Sequence, residues 1–235
     1  MSLPPSDASA SIRAEPIDAI RCRFLVSRAL DPDRWAYFGD RSAAVGSPLA
    51  DRLMAIEGVT SVLIAHDSVT VTRERPGGVP VLGPAVMRLR RLMGDNRAGT
   101  DSWPALGKRI GEAIRAHLAT GERAVSDAAH AAMPSSHALA DRVRRVLDEQ
   151  VNPVVAGHGG RVELVEMKDN VAYLRMGGGC QGCGLADVTL RHGAEAILRD
   201  LVPELGPIFD LTNHAAGTAP YAPGRSGRSP LANRQ

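Results

Sequence analysis

Aromatic residues make up only 3% of this 235-residue chain, it has three cysteines, and nowhere do apolar residues run on for the length of a bilayer. Each shortage removes a class of function. Few aromatic rings leave few stacking platforms for single-stranded nucleic acid. Three cysteines cannot build a disulfide scaffold, so a close pair of them points to metal binding or thiol redox chemistry. A membrane span needs about 20 apolar residues, and the N-terminus lacks the apolar core of a secretory signal, so a soluble intracellular protein without a membrane partner is expected. Excess charge is also missing. Lys and Arg total 28 against 26 Asp and Glu, and Arg225, Arg228 and Arg234 stand in a terminal stretch without an acid, which leaves the rest slightly negative. A nucleic-acid surface needs clustered positive charge to displace counterions, so that partner is not expected. No nucleophile–base pair, phosphate loop or carboxylate dyad stands out, and the chain does not read as an enzyme.

The pattern along the chain predicts an α+β protein of two small domains joined by a linker. Residues 1–17, with Pro4, Pro5 and a Ser/Ala run, read as a disordered lead-in. A first domain is expected over 18–121. Ile20, Cys22, Phe24 and Val26 alternate with Arg21, Arg23, Leu25 and Ser27, the period of a half-buried strand. Ser47 is placed to cap a helix carrying Leu49, Leu53 and Ile56 that stops at Gly58. Residues 62–72 read as two strands turning at His66-Asp67-Ser68. The Pro- and Gly-rich stretch 74–100 reads as an insertion, and its Arg88, Arg90 and Arg91 as a solvated helix face. Pro104 then opens a helix with Leu106, Ile110, Ile114 and Leu118 on one stripe. Trp35, Tyr37 and Trp103 fit as core or edge aromatics. The Ala-rich residues 122–134 read as the linker.

The second domain, 135–214, shows an α-β-β-α-β order. Leu139, Val143, Val146, Leu147, Val151 and Val154 recur at helical spacing, ending near the turn at Gly157-His158-Gly159-Gly160. Strands over 162–167 and 171–176 meet at Lys168-Asp169-Asn170. Leu185, Val188, Ala194, Ile197, Leu198 and Leu201 mark a second helix, and 208–211 a last strand. Residues 215–235 read as a disordered tail.

Between the second strand and the second helix lies Gly177-Gly178-Gly179-Cys180-Gln181-Gly182-Cys183-Gly184. Two residues between cysteines let both sulfurs face one metal centre, and Gly182 lets the backbone curl around it. The surrounding glycines expose amides that can hydrogen-bond cluster sulfides. Iron–sulfur clusters of the common kinds need four protein ligands, and this domain supplies two. Cys22 sits at an inward strand position in the other domain and reads as a small core residue. A cluster would therefore need a second chain, and a two-fold axis through the loop would bring Cys180 and Cys183 of each copy to one centre. Other chemistries remain open on the residues alone. Thioredoxin-like redox motifs also sit at a strand-to-helix junction, although here the preceding strand reads as one arm of a hairpin rather than part of a β-α-β unit. A structural zinc site could recruit His158 or His192, and two packed free thiols are the plainest alternative. His158 reads as a turn residue bonding backbone, and Asp187 as first-turn charge complementing the helix dipole.

The run Val151-Asn-Pro-Val-Val-Ala-Gly-His-Gly-Gly-Arg-Val-Glu-Leu-Val-Glu166, the Gly-Gly-Gly-Cys180-Gln-Gly-Cys183 segment, Asp187-Val-Thr-Leu190 and Pro203-Glu-Leu205 together resemble the C-terminal domain of the NifU-like (Nfu) iron–sulfur carriers. Ser47-Pro-Leu-Ala50, Ile56-Glu-Gly-Val59, Ser68-Val-Thr-Val-Thr72 and the helix after Trp103 resemble that family's N-terminal domain in order, with 74–100 in place of a short loop. The resemblance implies a 4Fe-4S cluster, one per homodimer, ligated by Cys180 and Cys183. It also implies apo iron–sulfur clients, an upstream cluster scaffold as donor, and a cytoplasmic setting in a bacterium or a mitochondrial matrix one in a eukaryote.

Overall fold

The first corner of the fold is made by Asp18, whose Oδ1 accepts from the amides of Ile20 and Arg21, both at 2.8 Å. Such an Asx turn reverses the chain within a few residues. The structure is a computed structural model and describes residues 10–74, 103–157, 159–178 and 184–213, with the backbone alone over 184–192. They form two compact units that divide between Met133 and Pro134.

In the first unit, strands β1 (Ile12–Pro16), β2 (Arg21–Val26), β3 (Asp31–Phe38), β4 (Val59–His66) and β5 (Ser68–Arg73) form one antiparallel sheet in the order β1-β2-β5-β4-β3. Cys22, Phe24 and Val26 point inward as their alternation predicts. The turn between β4 and β5 falls at His66-Asp67-Ser68, with His66 at φ 53°. Helices α1 (Arg41–Ala44), α2 (Pro48–Met54) and α3 (Trp103–Thr120) accompany the sheet. Leu49, Leu53, Ile110 and Ile114 are fully buried and join Phe24, Phe38 and Ile64 in one core.

Three features depart from expectation. The lead-in 1–17 is not structureless throughout, because Ile12–Pro16 is a strand paired along its whole length with β2, from Ile12 opposite Val26 to Pro16 opposite Cys22. Pro16 is tolerated there because β1 is an edge strand and asks for fewer amide donors. Nor is 122–134 a free linker. Ala124 and Val125 are 3% and 1% exposed, and the amide of Leu49 donates to the carbonyl of Ala124 at 3.2 Å. Ser126 caps a short helix α4 (Asp127–Ala131) by accepting from the amide of Ala129 at 3.2 Å. Finally, Ser47 stands at the N-cap of α2 but its hydroxyl makes no capping bond; it accepts instead from the amide of Ser126 at 3.1 Å, tying this strap to the body. His130 completes the tie: Nδ1 lies 3.2 Å from the carbonyl of Trp35, and Nε2 lies 3.0 Å from the buried carboxylate of Asp31. The expected insertion, 74–100, falls outside the described residues beyond Glu74.

The second unit opens with α5 (Ser136–Val146), capped by Ser135 through the amide of Ala138 at 3.2 Å. The single helix expected here is interrupted by a π-turn at Leu147–Val151 before α6 (Asn152–Ala156). Two causes converge. Pro153 has no amide to donate back to Glu149, which frees a carbonyl and loosens the α register. The buried residues Leu139, Val143, Leu147, Val151 and Val155 also recur every fourth residue, and in an α-helix that stripe drifts by about 40° per step. The wider turn takes up the extra residue and keeps Val151 and Val155 on the buried side.

Strands β6 (Gly160–Lys168) and β7 (Val171–Gly178) form an antiparallel hairpin, followed by helix α7 (Gly184–Leu201) and β8 (Ile208–Asp210). β8 pairs with β7 in parallel, from Ala172 opposite Ile208 to Leu174 opposite Asp210. The unit is thus α-β-β-α-β, but β7, α7 and β8 make a β-α-β crossover as well as a hairpin arm. Asn170, fully buried at the hairpin turn, receives the amide of Gly206 on its carbonyl at 2.9 Å, and its side-chain amide faces the carbonyl of Glu204 at 3.3 Å. Arg199 donates to the carbonyl of Gly206 at 3.2 Å, so the passage from α7 into β8 is held from both sides.

His117 on α3 is 2% exposed, and its Nδ1 has no hydrogen-bond partner. Burial, helped by the positive charge of Arg52, holds its pKa below the usual imidazole value of 6.5, while Glu122 opposes. The unfolded chain then binds a proton more readily than the folded one, so stability is full above that value and falls as pH drops through it. His117→Leu is expected to flatten this loss: thermal midpoints at pH 7.5 and pH 5 should differ less for the variant than for the parent.

Candidate metal centre

Gly178 ends β7 at φ +61°, pairs with Gly160 and lies against the preceding Gly159, itself at φ +68°. A Cβ built at Gly178 would lie 2.2 Å from the carbonyl oxygen of Gly159, a distance no side chain can occupy. The Gly159 turn is closed by its own amide, which donates to the carbonyl of Ala156 at 2.9 Å. Asn152 fixes the same corner: its Oδ1 accepts from the amide of Val162 at 2.8 Å, and its Nδ2 donates to the carbonyl of Val162 at 3.1 Å. On the other side of β7, the amide of Met176 donates to the hydroxyl of Thr212 at 2.7 Å. The last residue of β7 is therefore held by backbone contact and braced from both neighbours.

Cys180 and Cys183 fall outside the described residues, as does His158. What is described are the two residues between which the cysteines lie in sequence: Gly178, two positions before Cys180, and Gly184, the first residue of α7 and the neighbour of Cys183. His192 falls within α7. Cys22 is in the first unit, 3% exposed, and burial pushes its thiol pKa up, which keeps it protonated and poor as a ligand. Among the described residues, no group of three His, Cys, Asp or Glu side chains could hold a metal ion. The glycine run signalled this corner, but it did not reveal which glycine is sterically required. The crossover also corrects one inference from sequence, since the cysteine pair does lie between a strand and a helix of a β-α-β unit. Local setting alone therefore does not separate a metal site from a redox dithiol.

Residues 143–207 match the family model of the NifU-like domain, and residues 19–88 match that of the scaffold protein Nfu/NifU N-terminal domain. The chain carries both domains of the Nfu/NifU family. It is 49% identical over 89 residues to the Fe/S biogenesis protein NfuA of Xanthomonas euvesicatoria, covering 37% of this chain and 45% of that one. With the protein of the same name from Photorhabdus laumondii it shares 51% over 84 residues, 35% and 44% of the two chains. The chain thus spans about half the length of the curated relatives it matches. The solution structure of a NifU-like protein from Saccharomyces cerevisiae aligns over 54% of this chain and 93% of its own at 17% identity, with a TM-score of 0.39.

The Nfu/NifU match encloses the whole corner, from Asn152 through Gly178 to the passage held by Arg199. Gly178→Ala and Gly177→Ala separate steric need from mere flexibility. Gly177 has no positive φ, and a Cβ there meets nothing within 4 Å. Alanine at 177 is expected to leave the thermal midpoint of the C-terminal unit almost unchanged. Alanine at 178 should lower it by several degrees, because either the Gly159 turn or the end of β7 must move, at a cost of roughly 1–3 kcal/mol.

Proposed function

We propose that this protein is an iron–sulfur cluster carrier. It holds a 4Fe-4S cluster between two copies of itself through Cys180 and Cys183 of each, and delivers that cargo to apo-proteins. The observation that carries the reading is the ligand balance inside a NifU-like domain. The matched segment contributes one Cys-x-x-Cys pair, the described residues offer no further ligand cluster, and the third cysteine is a buried thiol of the other unit. Four thiolates therefore require two chains. The relatives' designation as Fe/S biogenesis proteins supports the same role.

The neighbouring fold suits the task. Cys183 directly precedes α7, where orphan amides and the positive end of the helix dipole favour thiolate over thiol. Gly178, held against the Gly159 carbonyl, keeps the strand end before Cys180 in place while the cysteines bind or release cargo. Transfer needs no redox change: each incoming client thiolate replaces one carrier thiolate on iron, so the charge around the cluster is preserved. Partners of the carrier are accordingly a second copy, apo iron–sulfur clients, and a scaffold that loads it. Among its described residues the N-terminal unit offers no ligand set, and it is assigned to client recognition, raising the client's local concentration near the cargo.

Anaerobic reconstitution tests the ligand set. One four-iron cluster per two chains is expected, with sulfide-to-iron absorption that Cys180→Ser or Cys183→Ser abolishes and Cys22→Ser leaves intact. A complete cluster on a demonstrated monomer would overturn the shared site. Residues 134–213, which form one compact unit, should fold alone and take up the cluster. They should activate a concentrated apo-client as the full chain does, yet fall behind when the client is dilute; coincident activation curves would remove the recognition role.

A further inference from the structure

The first unit contains a cavity of about 360 Å³ that the carrier role does not use, lying between the inner face of β1–β2 and α3. Its origin is legible in the residues. Ala14 stands opposite Phe24, and Pro16 opposite Cys22. Where α3 crosses this edge of the sheet it presents Gly107 and Gly111, one turn apart, so the helix roofs the space without filling it. A Cβ at Gly107 would touch the Phe24 ring at 3.8 Å, and a longer side chain there would enter the cavity. One end is a fixed wall: the Trp103 indole donates to the carbonyl of Ala19 at 3.2 Å, and the Arg73 guanidinium lies 4.8 Å over its ring. Cys22 lines the cavity as a protonated thiol and adds no charge.

Charge is found only among the lining residues of the helix. Lys108 and Arg115 line the cavity, are exposed, and form no ion pair with any described residue. The guanidinium of Arg115 folds back over Gly111, its Nη1 3.5 Å from where a Cβ would stand. The site therefore combines apolar walls with two uncompensated cations. Its volume is at the small end of the roughly 300–1,000 Å³ typical of small-molecule pockets.

We propose that this cavity binds a single-chain apolar carboxylate, its tail lying against Ala14, Phe24 and Trp103 and its carboxylate held at the mouth by Lys108 and Arg115. The apolar tail gains by leaving water, and the two cations select an anionic head over a neutral or cationic one. No cluster ligand takes part, so the proposal stands or falls independently of the cargo bound at Cys180 and Cys183.

The test uses the full chain with laurate as probe, below its micelle concentration, followed by calorimetry and by the NMR signal of the Trp103 indole N–H. One laurate per chain is expected to bind and shift that signal, with methyl laurate at least tenfold weaker. Reversing the mouth charges, Lys108→Glu with Arg115→Glu, should weaken laurate at least tenfold and leave methyl laurate unchanged; both sites are exposed, so folding is not at stake. Gly107→Leu should abolish binding of both probes while holding or raising the thermal midpoint, since glycine is a poor helix former. Absence of binding, binding that leaves the Trp103 signal unmoved, or a charge reversal without effect each overturns the proposal. If Gly107→Leu does not fold, the charge-reversal pair decides it.

Discussion

A carbonyl oxygen sits where the side chain of residue 178 would have to be. That contact between the Gly159 turn and the end of β7 is the constraint from which the rest of the second unit can be read. It requires glycine at 178, and it keeps the turn after α6 directly beside the exit of β7. The cysteine-bearing segment is thereby made to leave the sheet at a fixed point. Asn152, through its two bonds to Val162, and Thr212, through its bond to Met176, hold the elements on either side of that contact. The π-turn before Asn152 belongs to the same arrangement. Without the extra residue, the stripe that buries Leu139 and Val143 would rotate Val155 away from the core, and Asn152 with it. Sequence features that look unrelated, a proline in a helix and a glycine run after a strand, are thus parts of one corner.

How far that corner was legible depended on whether the signal was periodic or steric. The alternation of Cys22, Phe24 and Val26, the hairpin at Lys168-Asp169-Asn170 and the apolar stripe of α3 repeat with the period of their element, and the sequence shows them directly. β1 was missed because its five residues sit among Ser, Ala and Pro; the cue was Asp18, whose side chain makes the turn that folds Ile12–Pro16 back on β2. The strap over 124–133 was missed because alanines and serines look like linker composition. Its order comes from tertiary partners, Ser47, Trp35 and Asp31, that lie roughly eighty to a hundred residues away and leave no local trace. The parallel pairing of β8 with β7 was equally invisible, since a three-residue strand carries almost no pattern. The cysteine pair stands out by chemistry rather than fold: two thiols at metal-binding spacing amid glycines, in a chain with only one other cysteine.

The two units divide their polar interiors differently. In the first, Asp31 and His130 meet at 3.0 Å beneath the strap, with burial raising the carboxyl pKa while His130 and Arg34 pull it back. The imidazole lies 3.2 Å from the Trp35 carbonyl at Nδ1 and 3.0 Å from the Asp31 carboxylate at Nε2, which pins the strap against β3. That is a structural use of titratable groups, and the carrier reading needs none of them. In the second unit the buried polar groups, Asn170, Arg199 and Glu204, all serve the passage between α7 and β8. Neither set presents a nucleophile beside a base, and a carrier requires none, because cargo transfer is exchange of ligands rather than making and breaking of covalent bonds in a substrate.

The proposed division of four thiolates over two chains also determines the direction of transfer. A cluster bridging two copies is held with a strength that depends on protein concentration, because losing either copy removes half its ligands. A client that supplies its cysteines from one chain pays no such penalty: once the first client thiolate has displaced a carrier thiolate, the others act at the high effective concentration of an intramolecular step. Each exchange weakens the bridge that remains, so the last carrier thiolates leave more readily than the first. The contact that holds Gly178 adds to this bias, since it limits how far the carrier's cysteines can follow a cluster moving into the client. A cysteine pair free to follow would keep hold of its cargo longer; one that begins two residues after a braced strand end lets go.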